Sequence, residues 1–229
     1  MVTRESDPPE PPKRDHLAEY EQLRHSKPFI LGADECGYGS WAGPLVVCAV
    51  AVPHDWRPPR WLNDSKRVTE KRREGLFDWM KSRVPYAISM AQSDEIDRQG
   101  VMLSLRRCYR EVVQSILAKF PESLVVLDGE VRLPGVDHLH FPKADGIVPA
   151  VMAASVIGKV LHDRYMWQLA EKYPGYELHK NKGYRSKTHE EAIKKLGTTP
   201  IHRITYIKLD KLRTIEEMQA ADDVGISMD

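Results

Sequence analysis

Residues 29–52 read FILGADECGYGSWAGPLVVCAVAV, two apolar runs separated by a turn that contains Gly37 and Gly39. The first run, 29–33, leads directly into Asp34 and Glu35. The second, 44–52, is rich in β-branched residues. Short apolar runs bounded by glycine are typical of buried strands. We therefore predict a strand pair whose first member ends in two carboxylates.

The pattern on either side of this pair alternates between helices and strands. Strands are predicted at 86–91, 124–127 and 138–141, and a helical turn at 17–24. Further helices are predicted at 69–84 with Thr69 as cap, after Ser93 as cap, and at 101–119, 148–172 and 187–196. Tyr173-Pro174-Gly175 and Gly197 are expected to end the last two. This order predicts an α/β domain around a mixed sheet, followed by a basic helical extension.

Composition is that of an ordinary globular protein, with 41% hydrophobic and 29% charged residues in 229. No run of about 18 apolar residues occurs, and the polar, proline-rich start lacks the apolar core of a signal peptide. The three cysteines, Cys36, Cys48 and Cys108, show no metal-ligand spacing, so we expect free thiols. We therefore expect a cytoplasmic protein without membrane association, and a monomer.

Charge is unevenly distributed along the chain. Residues 142–213 contain 14 Lys and Arg against 7 Asp and Glu, a net charge of +7 on a chain whose total is +1. Such a segment indicates either a surface for an anionic ligand or a solvated helical face.

Carboxylates follow two of the predicted strands, Asp34-Glu35 after the first and Asp128 after 124–127. Neighbouring strand ends would bring Asp34 and Asp128 together, and clustered carboxylates need a cation to stay ionised. Oxygen ligands without histidine or cysteine favour Mg²⁺ or Mn²⁺ over Zn²⁺. The alternative is that these acids only cap turns before glycine.

Seven motifs in order resemble the type II ribonuclease H family, over roughly residues 29–206. They are Asp34-Glu35-Cys36-Gly37-Tyr38-Gly39 with 42–46, Asn63-Asp64-Ser65-Lys66, Leu127-Asp128-Gly129, Lys143-Ala144-Asp145 ahead of Ser155, the helix pattern from Ala153 through Lys159 to Arg164, Lys182-Gly183-Tyr184 with His189, and Pro200-Ile201-His202-Arg203. The resemblance implies a ribonuclease H-like mixed five-stranded sheet flanked by helices, with a small helical C-terminal portion. It divides the chain into a loosely ordered extension (1–27), a catalytic domain (28–175) and a basic helical portion that contributes to substrate binding (176–229).

Carried over by position, the resemblance implies an acidic quartet of Asp34, Glu35, Asp128 and Asp145. These residues would converge on a two-metal site for phosphodiester hydrolysis, with Mg²⁺ or Mn²⁺. Adjacent residues on a regular strand face opposite sides of the sheet. Asp34 and Glu35 can therefore share one site only if the strand distorts there, which Gly37 and Gly39 would permit. Asp163 is the alternative fourth acid, although an ion pair next to Arg164 is the expected role for it.

The resemblance also implies an RNA–DNA hybrid as substrate, and DNA duplexes with embedded ribonucleotides as a further one. Substrate contacts are expected from Gly37, Tyr38, Gly39, Lys66, Ser155, Lys159 and Tyr184. The family usually carries arginine between the two glycines, whose backbone helps to read the ribose 2′-hydroxyl. Tyr38 removes that guanidinium, which puts incision at a lone ribonucleotide in question. Asn181, Arg185 and His162 also depart from the family pattern, which often has histidine, a small residue and arginine there.

Two other functions remain open from the sequence. One is a nuclease of the wider superfamily acting on branched or ordinary DNA. The other is a module that binds hybrids without cutting them, although such a module has no need for four mutually repelling carboxylates.

Overall fold

The computed structural model describes residues 15–62, 65 and 68–207, arranged around one five-stranded mixed sheet in the order β3-β2-β1-β4-β5. The strands are β1 (Phe29–Cys36), β2 (Leu45–Pro53), β3 (Tyr86–Ala91), β4 (Ser123–Asp128) and β5 (Leu139–Phe141). Strands β1, β2 and β3 form an antiparallel meander. Strand β4 pairs with β1, and β5 pairs with β4, both in parallel. The predicted mixed sheet of five strands is confirmed.

Seven helices surround the sheet within the described residues. They are α1 (His16–Leu23), α2 (Glu70–Met80), α3 (Ser93–Gln99), α4 (Val101–Leu117), α5 (Pro149–Lys172), α6 (Leu178–Asn181) and α7 (Lys187–Leu196). In the part of the chain that the structure covers, every helix is too short or too polar to cross a bilayer.

The sheet is covered on both faces because alternate residues of β1 and β2 are apolar on each side. On one face α5 packs so closely on β1 that a Cβ atom at Gly32 would lie 2.2 Å from the backbone nitrogen of Val151. On the other face α4 packs against β1, β2 and β3 and buries Tyr109, Val112 and Val113. Strand β1 is therefore central and buried, and its carboxyl end is held rigidly.

A third, smaller core joins the C-terminal helices to the loop that follows β1. Ala42 lies in it with Met166 of α5, Leu178 of α6 and Ile193 of α7. The loop after β1 thus shares a core with residues 124 to 151 positions later in the chain. The three cysteines are free thiols, as predicted.

Helix α1 forms where a helical turn was predicted at 17–24, with Asp15 as its cap and Tyr20 buried beside Phe141 of β5. Two other local predictions are wrong. Ser93 does not cap α3, because its hydroxyl donates instead to the carbonyls of Gly43 and Ile201. Thr69 holds the cap position of α2 without a side-chain capping bond, and that helix ends at Met80 rather than at residue 84. Residues 1–14 lie outside the described part.

Candidate active site

Strands β1 and β4 bring two of the predicted carboxylates together. Ala33 pairs with Leu127 in parallel register, and Asp34 and Asp128 come next on the two strands. In neighbouring parallel strands, residues in register point to the same face of the sheet. The two carboxylates therefore lie side by side at one edge of the sheet.

Asp34 is buried, with 8% of its surface exposed. Burial raises the pKa of Asp34 well above its ordinary value, and the charges of Glu35, Asp128 and Asp145 raise it further. A hydrogen bond with Ser155 lowers the pKa of Asp34 in part. The other three predicted acids therefore all lie within electrostatic reach of Asp34.

Asp145 is held next to Asp128 by a turn between β5 and α5. Residues Ala144–Gly146 form a single 3₁₀ turn, and Lys143 before it has a left-handed backbone with φ of 65°. The backbone N–H of Ala144 donates to the Asp128 carboxylate at 2.7 Å. Asp128 therefore fixes the turn that carries Asp145, which is itself 6% exposed.

Glu35 reaches the site from the opposite face of the sheet, so the expected distortion of the strand does not occur. Strand β1 remains regular through Cys36, with Glu35 paired to Val47 of β2. The Glu35 carboxylate accepts a hydrogen bond from the Tyr109 hydroxyl of α4. Burial, followed by the charges of Glu35 and Asp34, raises the pKa of Tyr109 well above its usual range. That hydroxyl is thus held in its neutral, donating form.

Asp163 lies in a separate ion-pair cluster. Its carboxylate is 2.8 Å from the Lys159 ammonium, 3.2 Å from His162 Nδ1 and 3.7 Å from the Arg73 guanidinium. Burial would raise the pKa of Asp163, but hydrogen bonds from His162 and Lys159 outweigh it and the pKa is lowered. The expected neighbour Arg164 pairs with Glu74 instead. An ion-pair role for Asp163 is therefore favoured, with different partners from the one expected.

A pocket of about 420 Å³ opens beside these acids. It is lined by Asp34, Glu35, the whole 36–39 segment, Ser65, Ser155, Lys159 and Tyr184. Eight of the predicted site residues thus surround one cavity, and Asp128 and Asp145 adjoin it through Asp34. The predicted contact Lys66 lies outside the described residues.

The donor set suits a hard divalent cation. Its four acids are oxygen ligands with like charge, and burial of Asp34 makes a cation the natural neutralising partner. In residues 15–62, 65 and 68–207 no three Asp, Glu, His or Cys side chains already form a preassembled metal site. The fit of the quartet to a cation therefore rests on the chemistry of its oxygen donors and on the burial of Asp34.

The glycine turn after β1 differs at its two glycines. Gly37 has φ of 82°, and a Cβ atom there would lie 2.5 Å from the Pro44 carbonyl oxygen and 2.9 Å from His162 Nε2. At Gly39 a Cβ atom would meet nothing within 4 Å. Gly37 is therefore required by the fold, whereas Gly39 leaves space on the pocket side.

Two tyrosines flank this turn. The backbone N–H of Gly37 donates to the Tyr184 hydroxyl at 3.1 Å, and the Lys159 ammonium lies 5.7 Å from the Tyr184 ring centre. The side chain of Tyr38 is 41% exposed, and its hydroxyl contacts the Met102 sulfur of α4 at 3.5 Å. Tyr184 is thus built into the pocket, whereas Tyr38 points along its rim.

The departures from the family pattern have visible structural roles. Asn181 closes the turn before Tyr184, because its side chain donates to the Tyr176 carbonyl and accepts from Gly183 N–H. Arg185 is mostly exposed, pairs with Glu190 and stacks on Trp41 with its guanidinium 5.2 Å from the ring centre. His162 is fully buried beside Cys36. Burial alone would raise the pKa of the Cys36 thiol, but the charge of His162 outweighs this effect and the pKa is lowered.

Two site residues could not be identified from the sequence. Tyr109 lies in a predicted amphipathic helix, where an aromatic residue is expected to belong to the hydrophobic core. Arg203 belongs to one of the family motifs, but the sequence indicated no specific role for it. Only the folded chain shows that Tyr109 reaches Glu35 and that Arg203 reaches the carbonyls of Tyr38 and Gly43.

Comparison with known proteins gives a consistent picture. Residues 31–209 match the ribonuclease HII family. The ribonuclease HII of Aliarcobacter butzleri is 39% identical over 86% of this chain and 96% of the relative, and that of Thermus thermophilus is 40% identical over 76% and 84%.

Solved structures share the fold. A ribonuclease HII from Archaeoglobus fulgidus, solved in complex with PCNA, superposes with a TM-score of 0.67 at 24% identity, over 82% of this chain and 99% of the other. A Bst ribonuclease HIII solved with Mn²⁺ gives 0.64 at 20% identity, over 83% and 71%. These structures have the same ribonuclease H-like architecture that the sheet order displays.

Proposed function

The chain belongs to the ribonuclease HII family and is a ribonuclease H, and on that premise we propose a residue-level account of how it cuts RNA–DNA hybrids. The enzyme is an endonuclease that hydrolyses the RNA strand and leaves 3′-hydroxyl and 5′-phosphate ends. Asp34, Glu35, Asp128 and Asp145 form its catalytic and metal-binding quartet. The register of β1 with β4, which places Asp34 beside Asp128, is the observation that carries this assignment.

Mg²⁺ or Mn²⁺ is the cofactor that the quartet fits best. A pair of such ions, when bound, supplies activation of the attacking water and stabilisation of the leaving 3′-oxygen. The protein's own groups prepare the ligands for them. Tyr109 orients Glu35, Ala144 N–H orients Asp128, and Ser155 lies within hydrogen-bonding reach of Asp34.

The rest of the pocket binds the substrate strand. Lys159 provides a cation beside the scissile region, held between Asp163 and the Tyr184 ring. Tyr184 packs against the sugar at a junction between DNA and RNA, and Gly37, Tyr38 and Gly39 face the ribose. Ser155 and Lys66 complete the predicted contacts, with Ser155 already bonded to Ser65.

We further propose that residues 28–175 act as the catalytic domain and that 176–229 contribute to substrate binding. Hydrogen bonds between the two parts support a contribution of the second part to the substrate pocket. Trp41 N–H and Ala42 N–H, in the loop after β1, both donate to the Gly183 carbonyl. The enzyme works as a monomer in the cytoplasm, where its three thiols stay reduced. DNA duplexes with embedded ribonucleotides are a second substrate.

Cleavage of end-labelled duplexes tests the function. Four substrates of one sequence are compared in Mg²⁺, Mn²⁺ and excess chelator: RNA–DNA hybrid, DNA duplex, branched DNA and single-stranded RNA. We expect cleavage of the RNA strand in the hybrid with either ion and none in chelator. Cutting of the DNA duplexes would favour the wider superfamily function, and tight hybrid binding without cleavage would favour a binding module.

A further inference from the structure

Arg203 is the largest fully buried side chain among the described residues, with 0% exposure. Within that part of the chain no carboxylate lies at ion-pair distance from it. Its guanidinium donates to two backbone carbonyls, with Nη1 2.9 Å from the Tyr38 oxygen and with Nη2 2.9 Å and Nε 3.2 Å from the Gly43 oxygen, and it is also hydrogen-bonded to the Tyr206 side chain. A buried charge without a counter-ion costs free energy. A role for Arg203 other than packing is therefore expected.

The Tyr38 carbonyl receives a second donor from the same segment. The Tyr206 hydroxyl lies 3.2 Å from the Tyr38 oxygen, and the Arg203 guanidinium lies 5.3 Å from the Tyr206 ring centre. One carbonyl in the glycine turn is therefore held toward the protein interior by two residues near position 205.

Holding this carbonyl also orients the next N–H group. The peptide between Tyr38 and Gly39 is trans, so its C=O and N–H point in opposite directions. With the carbonyl directed at Arg203, the Gly39 N–H is directed away from the interior. Gly39 is exposed and lines the pocket, and its N–H has no acceptor within the described residues.

We propose that Arg203 and Tyr206 are positioning residues that clamp the Tyr38–Gly39 peptide, so that the Gly39 N–H is presented to the ribose 2′-hydroxyl of the substrate. This inference rests on the proposed function, because the 2′-hydroxyl is the group that distinguishes RNA from DNA. Neither side chain touches the substrate. They act through the backbone of the glycine turn, and a loss of the clamp costs selectivity before it costs general affinity.

Binding in Ca²⁺, which we use to hold the duplex without turnover, tests the clamp. Dissociation constants are measured for a DNA duplex with one ribonucleotide and for the matched all-DNA duplex, and their ratio is the ribose selectivity. Tyr206→Phe removes one hydroxyl and should lower the selectivity roughly three- to tenfold, the effect of one neutral hydrogen bond. Arg203→Lys should lower it at least about tenfold, because a hydrogen bond from a charged donor is lost.

Tyr176→Phe is the matched control. The Tyr176 hydroxyl also donates to backbone carbonyls, those of Gly197 at 2.9 Å and Leu196 at 3.4 Å, but it does not contact the glycine turn. The selectivity of this variant should equal that of the unmodified enzyme. Two results would overturn the clamp: an equal loss of affinity for both duplexes in the Tyr206 and Arg203 variants, or the same loss of selectivity in Tyr176→Phe. An unmodified enzyme that neither prefers the ribonucleotide duplex nor cleaves hybrid would instead refute the proposed function, and the clamp with it.

Discussion

Asp34 and Glu35 are neighbours in the chain but leave β1 on opposite faces of the sheet. Asp34 is joined by Asp128 and Asp145 on the α5 side, and Glu35 is held by Tyr109 on the α4 side. A regular strand end can therefore present ligands from both faces around its edge. This arrangement requires no distortion, and it makes β1 the rigid reference for the whole site.

Neutralising Asp128 should separate catalysis from stability. Asp128→Asn retains an oxygen acceptor for Ala144 N–H but loses the charge that contributes to the raised pKa of Asp34. We expect cleavage to fall by more than the roughly 10–100-fold typical of losing an outer-shell partner. The melting temperature in chelator should stay the same or rise, since repulsion is relieved. Rate assays and thermal melts check both parts.

Asp163→Asn is the control with the same chemical change. It leaves Lys159 and Arg73 without their acidic partner, so the melting temperature should fall by several degrees. A lower melting temperature for Asp128→Asn as well would contradict the like-charge account of the quartet.

The two glycines of the turn should respond differently to alanine. Gly37→Ala requires a left-handed alanine and a clash with the Pro44 carbonyl, so unfolding free energy should drop by about 2 kcal/mol or more. Gly39→Ala should change it by less than about 0.5 kcal/mol, because its Cβ meets nothing. Its methyl group should instead raise KM for hybrid. Denaturant unfolding and steady-state kinetics measure the two effects, and a strongly destabilised Gly39→Ala would be the contrary result.

Tyr38 should limit action at isolated ribonucleotides. Its side chain lies on Met102 at the rim, so arginine can replace it without a clash in the core. A restored guanidinium contributes a charged contact of about 1.5–3 kcal/mol, and Tyr38→Arg should raise incision at a lone ribonucleotide about tenfold or more. Cleavage within a run of four ribonucleotides should rise less, because several registers are available there.

Tyr38→Phe is the control for this comparison, and it should leave the ratio of the two rates unchanged. Equal rates on both substrates for the unmodified enzyme would mean that the backbone of the turn suffices.

Sequence patterns indicated Asp34, Glu35 and Asp128, and the family resemblance added Asp145, but neither indicated the groups that orient these acids. Strand-end carboxylates stand out because a charge after an apolar run is costly and therefore informative. Tyr109 and Arg203 carry no such signal, since their partners are a carboxylate 74 positions away and two backbone carbonyls. Residues that act through distant contacts become visible only when the fold is known.

At the scale of elements, strands were predicted best because β1, β2 and β4 are buried on both faces. Their near-continuous apolar runs are unambiguous, and β3 begins and ends where the pattern indicated. Helix α6 was missed, since four residues are too few to show periodicity. Ser93 shows a competing effect. Serine is a common N-cap residue, but here its hydroxyl donates to the carbonyls of Gly43 and Ile201 instead of capping the helix.

The attachment of α7 depends on a pair of buried, neutral histidines. Thr199 N–H donates to His202 Nδ1 at 3.0 Å, which leaves His202 Nε2 as the donor to His189 Nε2 at 3.3 Å. His189 Nδ1 then donates to the Tyr184 carbonyl. Burial and the neighbouring His189 lower the pKa of His202 to about 4, and burial lowers the pKa of His189. The chain of bonds therefore connects α7 to the backbone of Tyr184.

Acid should weaken this attachment. The unfolded chain takes up protons near pH 6.5, whereas folded His202 resists them until about pH 4, so its stabilising effect is complete above pH 6.5 and lost as pH falls toward 4. The difference in unfolding free energy between the unmodified protein and His202→Asn should shrink by about 2 kcal/mol between pH 7 and pH 4. His25→Asn, at an exposed position, is the control and should show no such change. A pH-independent difference for His202 would contradict the neutral pair.

At the scale of the molecule, several basic side chains in the described part of the C-terminal third form ion pairs. Lys180, Lys182, Arg185 and Lys187 each lie within 4 Å of a glutamate. Exposed pairs of this kind are worth little and can be exchanged for phosphate. The segment can therefore serve as a binding surface whose glutamates hold its side chains in place when no substrate is bound.

Hybrid affinity should fall with salt, by roughly one log unit in Kd per log unit of salt for each phosphate contact. Arg185→Met should reduce that slope by about one. Lys119→Met is the control, because Lys119 lies next to Phe120, which contacts Phe29 at the opposite end of β1. Binding titrations at several salt concentrations measure the slopes, and a flat dependence would mean that the basic segment is only a solvated face.

The contact between Arg203 and Tyr38 spans 165 positions of the chain, and this separation has a consequence for how the enzyme is made. At synthesis rates of roughly 5–20 residues per second, Asp34 and Glu35 leave the ribosome about ten to thirty seconds before the residues that clamp the glycine turn. The core of the sheet can form from the first 172 residues, but the turn cannot take its final orientation until residue 203 has emerged. On the clamp that we propose, a nascent chain therefore acquires its ability to select ribose only after residue 206 has been synthesised, well after its acids.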